Sequence, residues 1–272
     1  MAVDTLKTTE RTLRVLRSFS RARPELTVAE LTSILELPRS VVTRIVATLE
    51  QAQFLERSIG SFKYRIGIAA CELGATYLAG NRLTNFSHEI LRDLAERTGH
   101  TVYMGVLQGQ DVVIVSTFEG RAPVRFIWAV GDRLPISTTA FGKAILLQTP
   151  PEQIDLLLGN STLPGLAPNS INTRSLLNKQ LEEYRVKGWI PALEESLPGV
   201  YAVGAALLDA AGKPLAGISV SFLRDTTDSN QIEKLGNAVL DAAQAINRRI
   251  APHYAYQVQR KVQSLSPSYA FG

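Results

Sequence analysis

Arg39, Ser40, Thr43 and Arg44 bring long cations and short hydroxyls onto one stretch of chain. Residues three and four apart, as 40 and 43, 39 and 43, or 40 and 44 are, share a helical face. A face that mixes guanidinium groups with hydroxyls suits base edges in a DNA major groove. Between these residues Val42, Ile45, Val46 and Leu49 recur at i, i+3, i+4 and i+7, the pattern of a buried helix face. Pro38 stands where a helix can begin, because its missing N–H would go unpaired there. Three further cations, Arg57, Lys63 and Arg65, lie in two short alternating runs around Ser58-Ile59-Gly60-Ser61. Such runs read as a hairpin, and its cations suit backbone phosphates. The plainer reading of the same residues is a solvated helix face and a basic arm that binds nothing.

No catalytic constellation accompanies them. The chain has no G-x-S-x-G, G-x-G-x-x-G or C-x-x-C. Gly142-Lys143-Ala144 lacks the Ser/Thr and the leading Gly of a phosphate loop. His88, His100 and His253 are scattered, which suits packing or surface roles rather than metal ligation. Glu194-Glu195 is the one candidate acid/base pair, and a solvated loop edge is the expected reading. The lone Cys71 has no internal disulfide partner and is expected to be a small packed side chain. Neither a metal nor a cofactor is expected.

The elements that must position the basic residues can be read outward from them. Residues 9–19 form a helix with Leu13, Leu16 and Phe19 inward and Arg14 and Arg17 outward, broken by Pro24. Thr27 and Glu30 have the spacing of a capping box, which satisfies two amides at a helix start. Leu31, Ile34 and Leu35 supply that helix's apolar face. After the turn Glu36-Leu37-Pro38 comes the Arg-bearing helix, then the hairpin, the order of a winged helix-turn-helix domain at 1–67. Residues 68–81 read as a linker helix with two interior glycines, about 20 Å long. The remainder alternates differently: a helix stopped at Gly99, strands at 101–107, 112–118 and 124–130, short helices at 139–147 and from Pro150-Pro151, a loop at 164–170, a helix at 174–187, strands at 189–193, 202–208 and 215–222, and a helix at 231–250 stopped by Pro252. Antiparallel strands flanked by helices make 82–251 an α+β domain, and 252–272 is an unassigned tail.

The chain's 272 residues suit one large or two modest domains. Its net charge is +4, and residues 1–66 hold 11 Lys/Arg against 7 Asp/Glu, which leaves 18 of each sign for the rest. The whole positive excess therefore lies in the first quarter, as for a small phosphate-facing module joined to a neutral domain. No apolar run approaches the ~20 residues of a membrane span. The first residues carry no apolar signal core, so a cytoplasmic protein is expected.

From Thr9 to Ala251 the chain resembles the IclR family of bacterial transcription regulators. The matching pieces are Leu37-Pro38-Arg39-Ser40-Val41-Val42-Thr43-Arg44, Tyr64-Arg65-Ile66-Gly67, Gly131-Asp132-Arg133-Leu134-Pro135-Ile136-Ser137-Thr138-Thr139-Ala140-Phe141-Gly142-Lys143-Ala144, Leu197-Pro198-Gly199-Val200 and Ile218-Ser219-Val220-Ser221. The resemblance implies a winged helix-turn-helix joined to a GAF-like effector domain. It implies homodimers or homotetramers on double-stranded, (pseudo)palindromic operator DNA, and a small-molecule effector that changes operator binding or RNA polymerase recruitment. It implies an effector cavity lined by Phe126, Leu134, Ala140, Phe141, Ala192, Val200, Ala202, Ser219 and Ser221. This chain departs from relatives that bind small polar acids. It has Ala192 in place of a carboxylate, Ala202 in place of a cysteine and Ser137 where many have His. A roomier, less polar cavity follows. With Phe126, Trp128, Phe141 and Met104 near, the expected effector is a larger, partly aromatic organic acid, its polar end held by Ser219, Ser221 and the amides of the 139–141 turn. A catabolic operon is the expected target. Glu36 replaces the family's usual Gly in the helix-turn-helix turn, at ~1–2 kcal/mol if that residue is left-handed. The rival reading is an enzyme acting in the second domain, with the N-terminal module as an interaction arm. It requires an ionisable pair in the pocket. A constitutive DNA-bound scaffold, a third reading, requires no cavity.

Overall fold

Thr27 ends a short strand, β1 (Glu25–Thr27), and caps the helix that follows, α2 (Val28–Leu35). Its hydroxyl accepts from the Glu30 amide at 3.1 Å, while the Glu30 carboxylate accepts from the Thr27 amide at 2.7 Å. This reciprocal box is what the Thr and Glu spacing predicts. The structure is a computed structural model that describes residues 6–121, 128–159, 162–224 and 228–263, with side chains as far as 251. It divides into two compact units, Met1–Asn81 and Arg82–Gly272.

In the first unit α1 (Lys7–Arg17), α2 and α3 (Arg39–Gln51) enclose a core of Val15, Phe19, Leu26, Leu31, Leu35, Val42, Ile45, Val46, Leu49, Leu55 and Tyr64. Two apolar residues read as inward from sequence are not. Leu13 is 53% exposed and Ile34 39% exposed. The buried stripe of α1 runs through Val15, and a residue two positions away on a helix lies about 200° around it. Strands β2 (Leu55–Arg57) and β3 (Lys63–Ile66) form the hairpin, and β1 joins it in the order β1-β3-β2. Helix α4 (Ile68–Gly80) buries no residue, so Cys71 is exposed rather than packed.

The second unit is built on a six-stranded antiparallel sheet in the order β6-β5-β4-β9-β8-β7. Its strands are β4 (Thr101–Gln108), β5 (Asp111–Phe118), β6 (Arg133–Pro135), β7 (Trp189–Leu193), β8 (Val200–Leu208) and β9 (Pro214–Leu223). Helices α5 (Arg82–Thr98) and α9 (Ser229–Gln263) cover one face, where Leu91, Leu94, Val239 and Ile246 pack on Val102, Met104, Val203, Ile218 and Val220. Helices α6 (Ala140–Leu147), α7 (Pro151–Leu158) and α8 (Arg174–Arg185) cover the other through Phe141, Ile145, Ile154, Leu177 and Leu181. The strand expected at 124–130 falls largely outside the described residues. Its described end, 128–130, is not a strand, and β6 takes the edge position beside β5. The final helix does not stop at Pro252 but runs to Gln263. A proline forfeits its own N–H bond yet holds φ near the helical value, so the turn can continue.

Candidate functional site

Leucine 35 closes α2, and the next residue reverses the chain. Glu36 has φ 55° and ψ 39°, the left-handed region. The Pro38 carbonyl accepts from Val41 and Val42, opening α3. Arg39, Ser40, Thr43 and Arg44 are all exposed along the outer face of α3, opposite Val42, Ile45, Val46 and Leu49. Among the described residues neither Arg39 nor Arg44 has an ion-pair partner. The Thr43 hydroxyl donates to the Arg39 carbonyl at 2.9 Å.

The hairpin cations are not equivalent. Glu56 and Arg65 face each other across β2 and β3, and their side chains pair at 2.6 Å. Arg57 faces Tyr64, donating to its hydroxyl at 2.7 Å with the guanidinium 5.3 Å from the ring centre. Lys63 is exposed, and its charge bears on the Glu30 carboxylate of the capping box. Part of the charge counted in sequence is therefore already engaged by cross-strand neighbours.

In the second unit the sheet face under α6 carries several of the residues expected to line an effector cavity. Strand alternation places Thr101, Tyr103, Ser219, Ser221, Ala202, Gly204, Ile190 and Ala192 on that face. Register makes two rows of it: Thr117, Tyr103, Ser219, Gly204 and Ile190, then Thr101, Ser221, Ala202 and Ala192. Ala140, Ala192 and Ala202 form a small cluster of their own. Phe141 and Leu134 are buried beside Tyr103, and Trp128 packs at the edge of that group. Val200 is half-buried at the start of β8. Phe126 lies outside the described residues. Met104 points to the opposite face, into the α5 and α9 core. A groove of about 440 Å³ between α5 and α9, lined by Glu89, Ile90, Asp93, Arg97, Asp241, Ala242 and Ala245, contains none of these residues.

The close seat of α6 comes from glycines that the sequence reading passed over. A Cβ on Gly217 would lie 1.9 Å from the Phe141 carbonyl oxygen, one on Gly204 2.5 Å from the Ala140 carbonyl, and one on Gly105 2.4 Å from the Phe141 ring. Glycine inside a strand marks such an approach, and that signal was available at all three positions. At the start of α6 the Thr139 hydroxyl accepts from the Gly142 amide at 3.1 Å.

Glu195 is not on a solvated loop edge. It is buried, and its carboxylate oxygens lie 2.6 and 2.7 Å from Nζ of Lys143, which also donates to Gln180 Oε1 at 2.7 Å. Burial pushes the Lys143 ammonium down to about 8, with the Glu195 charge pulling the other way. This is an ionisable pair within hydrogen-bond reach, but each member saturates the other and Lys143 is 0% exposed, so it presents nothing to a substrate. It ties α6 to α8 and to the loop after β7. In that loop Glu194, at φ 58°, accepts from the Gly199 amide at 2.7 Å and meets Arg224 at 3.3 Å. No cluster of His, Cys, Asp and Glu among the described residues has the geometry of a metal site. No helix there is long and apolar enough to cross a membrane.

Residues 8–58 match the IclR helix-turn-helix domain, and residues 75–248 match the C-terminal domain of bacterial IclR transcriptional regulators. The chain is 24% identical over 245 residues to the HTH-type transcriptional regulator XynR of Escherichia coli K12, covering 90% of this chain and 97% of that protein. Its fold is similar to the crystal structure of an IclR transcriptional regulator from Alicyclobacillus acidocaldarius, with TM-score 0.80 and 22% identity over 90% of this chain and 98% of that one. It is also similar to an IclR homolog from Microbacterium hydrocarbonoxydans complexed with 4-hydroxybenzoate, with TM-score 0.73 and 21% identity over 89% of this chain and 100% of that one. With both domain matches in chain order on a helix-turn-helix and a six-stranded sheet, the chain belongs to the IclR family of bacterial transcriptional regulators, a DNA-binding domain followed by an effector-binding domain.

Proposed function

We propose that this regulator controls a catabolic operon and senses a small aromatic carboxylic acid in its second domain. The observation that carries the reading is the sheet face under α6. There short hydroxyls and alanines replace the aliphatic residues that fill the opposite face, and Phe141, Leu134 and Trp128 stand beside them. A carboxylate fits the start of α6, where the helix dipole and first-turn amides favour an anion, with Ser219 and Ser221 as neighbouring donors. Phe141, Leu134, Trp128, Ala140, Ala192, Val200 and Ala202 would surround the ring, and Phe126 is proposed to join them. The similar fold of a homolog complexed with 4-hydroxybenzoate supports the same ligand class.

On the DNA side, Arg39, Ser40, Thr43 and Arg44 would approach base edges in the major groove. Lys63, Arg57 and Arg65 would lie along phosphates. The apolar and unburied helix α4, with Leu73 59% and Tyr77 53% exposed, supports assembly with a second copy on a two-fold operator.

The test is a thermal-shift series on the full chain with benzoate, hydroxybenzoates, pyruvate and glyoxylate, followed by binding to an operator selected from random duplexes. Aromatic acids are expected to raise the melting temperature and change operator affinity, because a ligand that binds only the native state stabilises it. Stabilisation by the two- and three-carbon acids alone would overturn the ligand class.

A further inference from the structure

Tyr103 is among the most buried side chains of the molecule, 2% exposed, yet its phenolic oxygen has no hydrogen-bond partner among the described residues. Thr117, paired with it across β4 and β5 on the same sheet face, also carries a buried hydroxyl without a partner. Buried polar groups in native proteins are nearly always bonded, and the exceptions call for an explanation. Two such orphans on cross-strand partners of one sheet face mark a place built for a polar atom that the chain does not supply.

The surroundings say what kind of atom. Tyr103 shares its cluster with Leu134, Ile114 and Phe141, and Trp128 packs against the same group. On its other side Tyr103 faces Ser219. The site is therefore continuous with the aromatic wall of the proposed effector pocket. Burial above all, with the carboxylates of Glu119 and Asp132 adding to it, holds the phenol in the neutral form. A second anion at that end would meet the same repulsion, whereas a neutral hydroxyl can accept from the phenol and also donate.

We propose that Tyr103, assisted by Thr117, is the specificity-determining contact for a neutral hydroxyl group on the ring of the effector. The inference rests on the reading of the pocket as a site for aromatic acids. It adds that the ligand carries two polar ends, an anionic one at α6 and an uncharged one at β4 and β5. Tyr103 acts by pairing: a ligand lacking the hydroxyl leaves the phenol unbonded, and a ligand carrying it does not.

The experiment is calorimetric titration of the full chain, wild type and the variants Tyr103→Phe and Thr117→Val, with benzoate, 3-hydroxybenzoate and 4-hydroxybenzoate. Wild type is expected to bind one hydroxybenzoate about tenfold more tightly than benzoate, the scale of one hydrogen bond in a dry site. Tyr103→Phe is expected to abolish that preference while leaving benzoate affinity unchanged, with Thr117→Val intermediate. The melting temperature of ligand-free Tyr103→Phe should equal or exceed that of wild type, since an unbonded hydroxyl is removed. A lower melting temperature would reveal a structural bond and overturn the proposal. Equal wild-type affinity for all three acids, or a preference that survives in Tyr103→Phe, overturns this proposal alone. Failure of wild type to bind any of the three overturns the aromatic-acid reading and the proposal with it.

Discussion

Lys143 Nζ lies 2.6 Å from one carboxylate oxygen of Glu195 and 2.7 Å from the other, fifty-two residues along the chain, and Lys143 meets no solvent. A buried pair adds little stability over an apolar replacement, but removing one partner strands a charge. Lys143→Met is therefore expected to destabilise the protein by about 3–5 kcal/mol. The double variant Lys143→Met with Glu195→Leu should recover most of the loss. Midpoints of urea unfolding for the three proteins give the comparison, and equal losses in the single and double variants would remove the stranded-charge account.

The same lysine gives stability a pH dependence in alkali. Its ammonium is pushed by burial from 10.5 down to about 8, so between those values the unfolded chain holds the proton and the native chain releases it. Stability rises with pH wherever the unfolded state binds more protons. The burial cost is fully present below pH 8 and is relieved as pH climbs toward 10.5. The difference in unfolding free energy between wild type and the Lys143→Met, Glu195→Leu double variant should therefore move in favour of wild type across that window. A difference that is flat or falls there would contradict this assignment.

Two glycine-to-alanine changes should have opposite signs. At Gly217 a Cβ would stand 1.9 Å from the Phe141 carbonyl, so Gly217→Ala must lift α6 off the sheet, at about 3 kcal/mol. Gly74, inside α4, has nothing within 4 Å of an added Cβ. Gly74→Ala should stabilise by about 0.5–1 kcal/mol through helix propensity and a less flexible unfolded chain. Thermal unfolding separates the two, and tolerance of Gly217→Ala would mean that α6 is seated less tightly than described.

Glu36 holds a left-handed backbone at φ 55°. Such a conformation costs a non-glycine residue about 1–2 kcal/mol. Glu36→Gly relieves it and gives back part of the gain as unfolded-state entropy, for a net stabilisation of about 0.5 kcal/mol. A loss of stability on melting would show that the Glu36 side chain makes a compensating contact.

If Arg44 reads a guanine, Arg44→Ala should cost about 1–3 kcal/mol of specific operator affinity and leave nonspecific binding nearly unchanged. Lys63→Ala should lower the slope of log affinity against log salt by about one, at all sequences alike. Arg65→Ala should lower it less, because Glu56 already pairs with Arg65 at 2.6 Å. Fluorescence anisotropy over a salt series measures all three, and identical slopes for the two hairpin variants would discount the role given to Glu56.

Much of the chain was legible without coordinates because its signals are local. The capping box of Thr27 and Glu30, the i, i+3, i+4, i+7 aliphatics of α3, the strained turn at Glu36 and the strands at 101–107, 112–118, 189–193, 202–208 and 215–222 each depend on a few adjacent residues, and each lies where the sequence places it to within a residue or two. Local pattern misled where burial depends on what packs opposite. Leu13 and Ile34 belong to helices whose cores lie a fraction of a turn away, Cys71 sits on a helix that buries nothing, and Pro252 interrupts a hydrogen bond without ending the helix. The site needed the tertiary structure most. Tyr103 meets Thr117 and Ser219 only through strand register, Lys143 reaches Glu195 only because α6 lies on a row of glycines, and the charges of Arg57 and Arg65 are engaged only by their cross-strand neighbours. Residue type and spacing determine which element forms and which face it offers. Which distant side chain completes a buried group is decided by the fold, because desolvated charges and hydroxyls take their energy from partners that proximity in sequence does not specify.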